Sequence, residues 1–341
     1  MKPIMMILIF GCFGVSVFVA CRPTEKNDVP SSGLATHELD EFVSKARSNL
    51  VFVEGGEFWM GDFGARFGSE RLPYDANQDS KPLHRVKLTS FSIERFKVDN
   101  ESFRLYLKYN GLTLRSDVGV YKFWRDYNFL SNTPAHVDWY EAEQYCAWLA
   151  KVAKLPYSLP TEAQWEYAAR SGGKFLMVST DDGTYRAVEE LDARGETRVR
   201  GINISSSDDR SAFSYMHGFS TGMITPLPVD HYPPNPLGLY SMSDDGYEWV
   251  KDWYDPDYYN YSPLLDPQGP EAPTYKDKHT NNQYAKVLRG NDHAQPLWGG
   301  GVNVQRRYSD PDAMVTLLDE AKPFLLDKTV RCAVNSPDRI E

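Results

Sequence analysis

The chain has 341 residues, of which 41% are hydrophobic and 13% aromatic, and this composition supports a sizeable core and excludes global disorder. The net charge of −10 is spread over interspersed acidic and basic residues. Because nothing resembles a basic face, we expect no nucleic-acid partner.

The N-terminus predicts export from a bacterial cytoplasm. Residues 1–20 combine Lys2 with a long uncharged run, as in a signal peptide, and Cys21 follows Ala20 as in a lipobox. We therefore expect lipidation at Cys21, and Arg22 favours the outer membrane, with the protein facing the periplasm. An uncleaved anchor and a cleaved soluble protein remain alternatives, and all three place the rest of the chain outside the cytoplasm.

Beyond the signal, residues 21–38 are predicted to be a flexible tether and residues 39–341 a single domain. Periodicity and capping signals predict these elements in chain order: a short helix over 39–49, strands over 50–53 and 58–61, a loop over 62–82, a strand over 86–93, helices over 100–109, 138–153 and 161–171, and a strand over 286–289. Little regular structure is predicted between 173 and 229.

Four cysteines are present, of which Cys12 leaves with the signal and Cys21 carries lipid. Cys146 and Cys332 are then two thiols in an oxidising compartment, which favours a pair, with two buried free thiols as the alternative. Neither has neighbours at zinc-ligand spacing.

Several motifs in order resemble the formylglycine-generating enzyme family, also called the sulfatase-modifying factor family. The most specific is Leu-Pro-Thr-Glu-Ala-Gln-Trp-Glu-Tyr-Ala-Ala-Arg, and the series comprises 55–61, 133–139, 142–146, 159–170, 235–240, 247–254, 287–290 and 330–333. The resemblance implies an α+β, C-type-lectin-related single domain with low regular secondary structure. It also implies a disulfide between Cys146 and Cys332.

Catalytic members of this family hold copper with two cysteines shortly after an Arg-Gly-Gly-Ser motif. The corresponding stretch here, from Gly290 to Tyr308, contains no cysteine, so we expect no copper. Iron-dependent relatives use a set of histidines instead. No two of the seven histidines lie within five residues of each other, which excludes a His-x-x-x-His pair.

The resemblance further implies structural calcium. Its ligands would be Ser241, the carbonyls of Asp244 and Gly246, and the carboxylate of Glu248, with a metal-free turn as the alternative. Ser241 stands where the family has Asp or Asn, which weakens the site. A second, weaker site would begin at Asn203 and Ile204, and its later acidic ligand has no counterpart near Thr221.

Two functions are consistent with this pattern. The first is a non-catalytic binding or structural lipoprotein of the cell envelope, associated with a secretion system or neutralising a secreted toxin, since loops on a rigid scaffold suit recognition. Its contact surface would include Asn291, His293 and Trp298. The alternative is a metal-dependent oxidoreductase related to formylglycine-generating enzyme.

Overall fold

A computed structural model describes residues 33–118, 121–276, 283–294, 302–317 and 320–340. The chain divides into a unit of residues 1–39 and a compact unit of residues 40–341. Of the first unit only the beginning of a helix is described, so the predicted signal peptide and Cys21 lie outside the described residues. The second unit contains the sheets and the hydrophobic core.

The helices form where the sequence supplies caps and an apolar stripe. Their bounds are α1 Gly33–Ser48, α2 Gly64–Phe67, α3 Asn100–Tyr109, α4 Tyr121–Tyr127, α5 Trp139–Ala153, α6 Glu162–Ala169 and α7 Ser207–His217. Both predicted capping boxes are confirmed, because the Asp138 carboxylate accepts from the Glu141 amide and the Thr161 hydroxyl accepts from the Gln164 amide, each with the reciprocal bond.

The strands are short and the connections long. Their bounds are β1 Leu50–Val53, β2 Gly56–Met60, β3 His84–Leu88, β4 Phe91–Glu94, β5 Tyr157–Ser158, β6 Ala187–Leu191, β7 Thr197–Gly201, β8 Tyr247–Trp253, β9 Lys286–Arg289, β10 Arg307–Ser309, β11 Met314–Leu317, β12 Glu320–Pro323, β13 Lys328–Thr329 and β14 Ala333–Val334. Together with the helices they make an α+β fold dominated by loops.

Two four-stranded sheets organise the domain. The first has the order β1-β4-β14-β5, and the second has the order β10-β9-β8-β13, in which only the β8–β13 pair is parallel. Hairpins β2–β3, β6–β7 and β11–β12 complete the described strands.

The disulfide between Cys146 and Cys332 is present and joins the middle of α5 to the start of β14, with the two Cα atoms 5.7 Å apart. Both cysteines are completely buried in a core cluster with Leu149 and Trp249. This confirms the pairing that the resemblance implied. Because the bridge closes a loop of 186 residues, it removes a large part of the entropy of the unfolded chain.

Three predicted elements differ from the structure. The predicted strand over 86–93 is interrupted, because the Ser90 hydroxyl accepts from the Gly55 amide and Asp266 accepts from the Thr89 amide, so side chains take the place of ladder bonds. The segment 173–229 contains β6, β7 and α7. Helix α1 begins at Gly33, within the predicted tether.

None of the helices in the described ranges has the length and apolar character needed to cross a membrane.

Candidate functional site

The stretch that follows β9, where a copper enzyme would carry its thiols, is held at both ends by buried arginines. Arg289 ends β9 and donates to Glu162 Oε1 and Glu166 Oε2, both at 2.8 Å. Arg306 donates to the same Glu162 through Nε at 2.7 Å and through Nη2 at 3.1 Å. Both carboxylates lie on the completely buried helix α6, so this helix is the anchor of the whole stretch.

These charges stabilise one another electrostatically. Burial alone would raise the pKa of Glu162, but the guanidinium groups of Arg306 and Arg289 lower it below its usual value. Asp252 accepts from the Glu162 amide at 2.9 Å, and burial together with the charge of Glu162 raises the pKa of Asp252 to about 7. The arrangement suits a structural network, because every guanidinium and both glutamates are already paired.

Between these two ends, the side chains of Asn291 and His293 are half-buried, and each lies close to a backbone carbonyl. The Asn291 amide donates to His293 O at 2.9 Å, and His293 Nε2 lies 3.3 Å from Ile224 O. Asp292 lies 3.3 Å from His293 Nδ1. The third predicted contact residue, Trp298, lies outside the described residues.

Metal-binding clusters are absent from the part of the chain that the structure describes, where no group of three or more His, Cys, Asp or Glu side chains is placed to hold an ion. His136 is completely enclosed, with Nδ1 3.1 Å from Leu325 O, and burial lowers the pKa of this imidazole to about 3. The ring of His84, which is half-buried, packs against Tyr259 at a tilted angle, and burial lowers its pKa as well. For both histidines, burial favours the neutral imidazole.

The four residues predicted as calcium ligands do not present a vacant set of oxygens. The Glu248 carboxylate accepts from Trp165, from Arg331 twice and from the ammonium of Lys97. The Gly246 carbonyl accepts from the same Lys97 at 2.7 Å. The Ser241 hydroxyl is directed toward Val229 O at 3.4 Å.

Asp244, whose carbonyl was the remaining predicted ligand, is engaged through its side chain. Arg210 donates to Asp244 Oδ1 at 2.5 Å and to Asp245 Oδ1 at 2.7 Å, and all three side chains are buried. Burial alone would raise the pKa of Asp244, but Arg210 lowers it below its usual value. Because the Gly246 carbonyl and the Glu248 carboxylate already bind Lys97 and Arg331, the donor set as it stands does not fit calcium.

In the second predicted calcium site, the side chain of Asn203 is already hydrogen-bonded to other protein groups. The Asn203 amide donates to Asp181 at 2.9 Å and to Thr184 O at 3.0 Å, and its oxygen accepts from the Arg186 amide. Ile204 packs in a small apolar cluster with Val178. Asn203 thus closes a loop, and no acidic ligand joins it from near Thr221.

One surface feature was not predicted from the sequence, because most of it lies in the segment 173–229, where little regular structure was predicted. A row of ring contacts runs from Phe213 to His217 at 4.2 Å, on to Phe219 at 5.4 Å, and then to Phe129 at 5.7 Å. Of the apolar side chains in this part of the structure, Phe129, Tyr215, Met216 and Met223 are strongly exposed, and Phe219 is half-buried. We call the set Phe129, Tyr215, Met216, Phe219 and Met223 the ring–methionine surface.

This surface adjoins the loop that follows β9. The turn Gly222–Ile224 carries Met223, and its Ile224 carbonyl is the group that His293 approaches. The Tyr127 hydroxyl donates to the same carbonyl at 2.5 Å, which ties the turn to α4 close to Phe129. The predicted contact residue His293 therefore lies beside the turn that carries Met223.

A cavity of about 530 Å³ is lined in part by Lys286, whose ammonium group is enclosed. The Nζ of Lys286 lies 3.6 Å from the ring centre of Trp253 and 4.0 Å from that of Trp139, and it donates to Lys251 O. Burial lowers the pKa of Lys286 to about 8. The lysine fills the space between the two indoles, so these rings stabilise the protein's own cation.

Comparison with known proteins identifies the same family that the sequence motifs predicted. A family profile described as the sulfatase-modifying factor enzyme 1-like domain matches residues 37–314. Among relatives, the formylglycine-generating enzyme of Streptomyces coelicolor is 30% identical over 302 residues, which cover 77% of this chain and 84% of that protein.

Two further similarities are more limited. The serine/threonine-protein kinase pkn1 of Chlamydia caviae is 30% identical over 244 residues, which are 67% of this chain but 32% of the kinase, so this chain spans about a third of the kinase's length. The solved structure of PvdO from Pseudomonas aeruginosa superposes with a TM-score of 0.51 at 22% identity, covering 84% of this chain and 93% of that one. This second likeness concerns the fold alone.

Proposed function

We propose that this chain, which belongs to the family of sulfatase-modifying factor enzyme 1-like domains, is a non-catalytic binding or structural lipoprotein of the bacterial cell envelope. The observation that carries the proposal is the lack of any cysteine from Gly290 to Tyr308. Thiolate is the ligand type that selects Cu(I). The two cysteines of the domain are bonded to each other, and they are completely buried.

The attachment that we propose is a lipid on Cys21 in the outer membrane, with the domain facing the periplasm. The apolar run that ends at Ala20-Cys21 supports it. Replacing Cys21 with serine should release the protein from membranes or leave it unprocessed. Processed, lipid-labelled Cys21→Ser protein in the membrane fraction would contradict the anchor.

The partner that we propose is a protein, either a component of a secretion system or a secreted toxin. Exposed apolar side chains support it, since Tyr215 is 89% and Met216 71% exposed, and exposed aromatic and methionine groups are typical of protein contact surfaces. The contact surface would consist of the ring–methionine surface together with Asn291, His293 and Trp298.

A copper assay tests the non-catalytic part. The full chain is incubated with copper and a cysteine-containing sulfatase peptide, beside the Streptomyces coelicolor enzyme as the positive control. We expect no formylglycine from this chain, because no pair of thiolates is available to one Cu(I). Copper bound at one equivalent together with oxidation of the peptide would favour the alternative, a metal-dependent oxidoreductase.

Capture of partners tests the binding part. The lipidated chain is crosslinked in native membranes and its partners are identified by mass spectrometry, with Trp298→Ala and Met216→Ala as variants. We expect one envelope or secreted protein to be enriched with the native chain and depleted with each variant. Equal enrichment with all three chains would rule out this surface.

A further inference from the structure

The ammonium group of Lys97 binds three oxygen atoms around residues 246–248. Its Nζ lies 2.7 Å from Gly246 O, 3.0 Å from Thr329 Oγ1 and 3.0 Å from Glu248 Oε1. These three acceptors match the three N–H donors of a lysine. The side chains of Lys97 and Glu248 are completely buried, so no donor is left for water.

We propose that Lys97 is a built-in replacement for a metal ion: its ammonium fills the cation position at the Gly246–Glu248 turn, and the domain folds without calcium. The two oxygens that Lys97 binds here, the Gly246 carbonyl and the Glu248 carboxylate, are two of the four groups that were predicted as calcium ligands. The inference is independent of the proposed binding function.

Charge balance supports this assignment. The carboxylate of Glu248 accepts four hydrogen bonds, of which Arg331 supplies two at 2.8 and 2.9 Å, Trp165 one at 2.8 Å and Lys97 one. A carboxylate offers about four lone-pair sites, so its acceptors are used up. Calcium takes six to eight oxygen ligands, and here it would also meet the two cations, Lys97 and Arg331, that already bind this carboxylate.

The backbone around Lys97 holds the ammonium in place. The amide of Val98, the next residue, donates to Val330 O at 2.8 Å, and the Val98 carbonyl accepts from Ala135 at 2.8 Å. Lys97 is therefore fixed between the segment that leads into β14 and the one that precedes α5. Because the backbone that carries this ammonium is already ordered, its binding costs only the freedom of the side chain, whereas a dissolved ion also loses translational freedom, which favours the internal cation.

The native chain gives the first test. Thermal unfolding of the full chain, purified in detergent, is followed in millimolar calcium chloride and in excess EDTA. We expect the two midpoints to agree within about 1 °C, since a ligand raises the midpoint only if it binds the folded state. One equivalent of calcium bound by the native chain, with a higher midpoint that Glu248→Gln abolishes, would overturn the proposal.

Removing the lysine gives the second test. Lys97→Ala leaves a space lined by Gly246 O, Glu248 and Thr329 Oγ1, and we expect its midpoint to fall by several degrees and to recover partly with n-butylammonium chloride. Lys97→Met fills the space without a charge and is the control, for which the same salt should change nothing. Recovery of both variants to the same extent, or of neither while Lys97→Ala remains folded, would show that the position does not select a cation.

Discussion

Two regions of this domain use their side chains in opposite ways. Around α6, the buried charge layer of Glu162, Glu166, Arg289 and Arg306 pairs each of these charges with another. On α7 and the turn after it, the ring–methionine surface exposes apolar groups, including a Met216 side chain that is 71% exposed. The first region buries paired charged side chains, and the second exposes apolar side chains to solvent.

This difference shows that the family resemblance reports on the buried scaffold of the domain. Its most specific motif, residues 159–170, forms the completely buried helix α6 and the segments on either side of it, and the motif at 287–290 supplies Arg289 from β9. These residues build a scaffold, so their presence predicts the fold and says nothing of catalysis. The ring–methionine surface lies in a segment outside all those motifs, which is where a function particular to this chain is to be sought.

Breaking the buried charge layer should have the largest effect. Arg289→Met leaves Glu162 and Glu166 each with one cation fewer in a completely buried site, and we expect the free energy of unfolding to fall by about 3–5 kcal/mol. Urea denaturation measures the change.

The matched control is an exposed pair. Arg200 and Glu190 are 57% and 52% exposed and 2.9 Å apart, and Arg200→Ala should change the free energy of unfolding far less than Arg289→Met, because water screens the pair. Equal losses for the two variants would mean that burial does not decide the strength of these contacts.

A buried carboxyl whose side chain forms no ion pair should behave differently from Glu162. Burial raises the pKa of Glu94 from 4.5 to about 7, against the opposing effect of its bond from the Cys332 amide. Between pH 4.5 and 7 the folded state therefore keeps a proton that the unfolded chain has released, so the contribution of Glu94 to stability falls as pH rises through this window.

The variant Glu94→Gln keeps an acceptor for the Cys332 amide and removes the titration. We expect it to be more stable than the native chain at pH 8 by about 2–3 kcal/mol, and to have nearly the same stability at pH 4. Urea denaturation at several pH values yields the difference between the two chains, which cancels the opposite pH dependence of His136. A difference that does not change with pH would contradict the assignment.

The smallest effect on stability, and a clear one on binding, is expected at the ring–methionine surface. Replacing Met216 and Met223 with alanine should change the free energy of unfolding by less than about 0.5 kcal/mol, because both side chains are exposed. The same change should weaken partner binding about 5- to 30-fold if these side chains are anchors. Surface plasmon resonance with the captured partner measures the binding.

Leu72→Ala offers a control for exposed apolar area in general, since Leu72 is 64% exposed and lies in the loop between β2 and β3. It should leave binding unchanged. A loss equal to that of the methionine variant would point to nonspecific stickiness instead of a defined contact surface.

The sequence by itself determined the elements whose causes are local. The caps Asp138 and Thr161 start α5 and α6 because the bonding groups lie three residues apart, and the apolar stripe of α5 predicts correctly that Cys146 faces the core. The capping box from Ser206 to Asp209 is equally local and starts α7, but the polar composition of its surroundings concealed it. The motif series predicted the family, the α+β class and the disulfide.

The tertiary structure alone decided how the charged residues are used. Lys97 meets the Gly246 carbonyl across 149 residues of sequence, and Arg306 meets Glu162 across 144. No local sequence pattern relates positions so far apart. An oxygen that the sequence suggests as a metal ligand can therefore bind a distant ammonium group in the folded chain. The physical reason is that a buried charge must find a partner, and only the packing of the folded chain determines which partner is in reach.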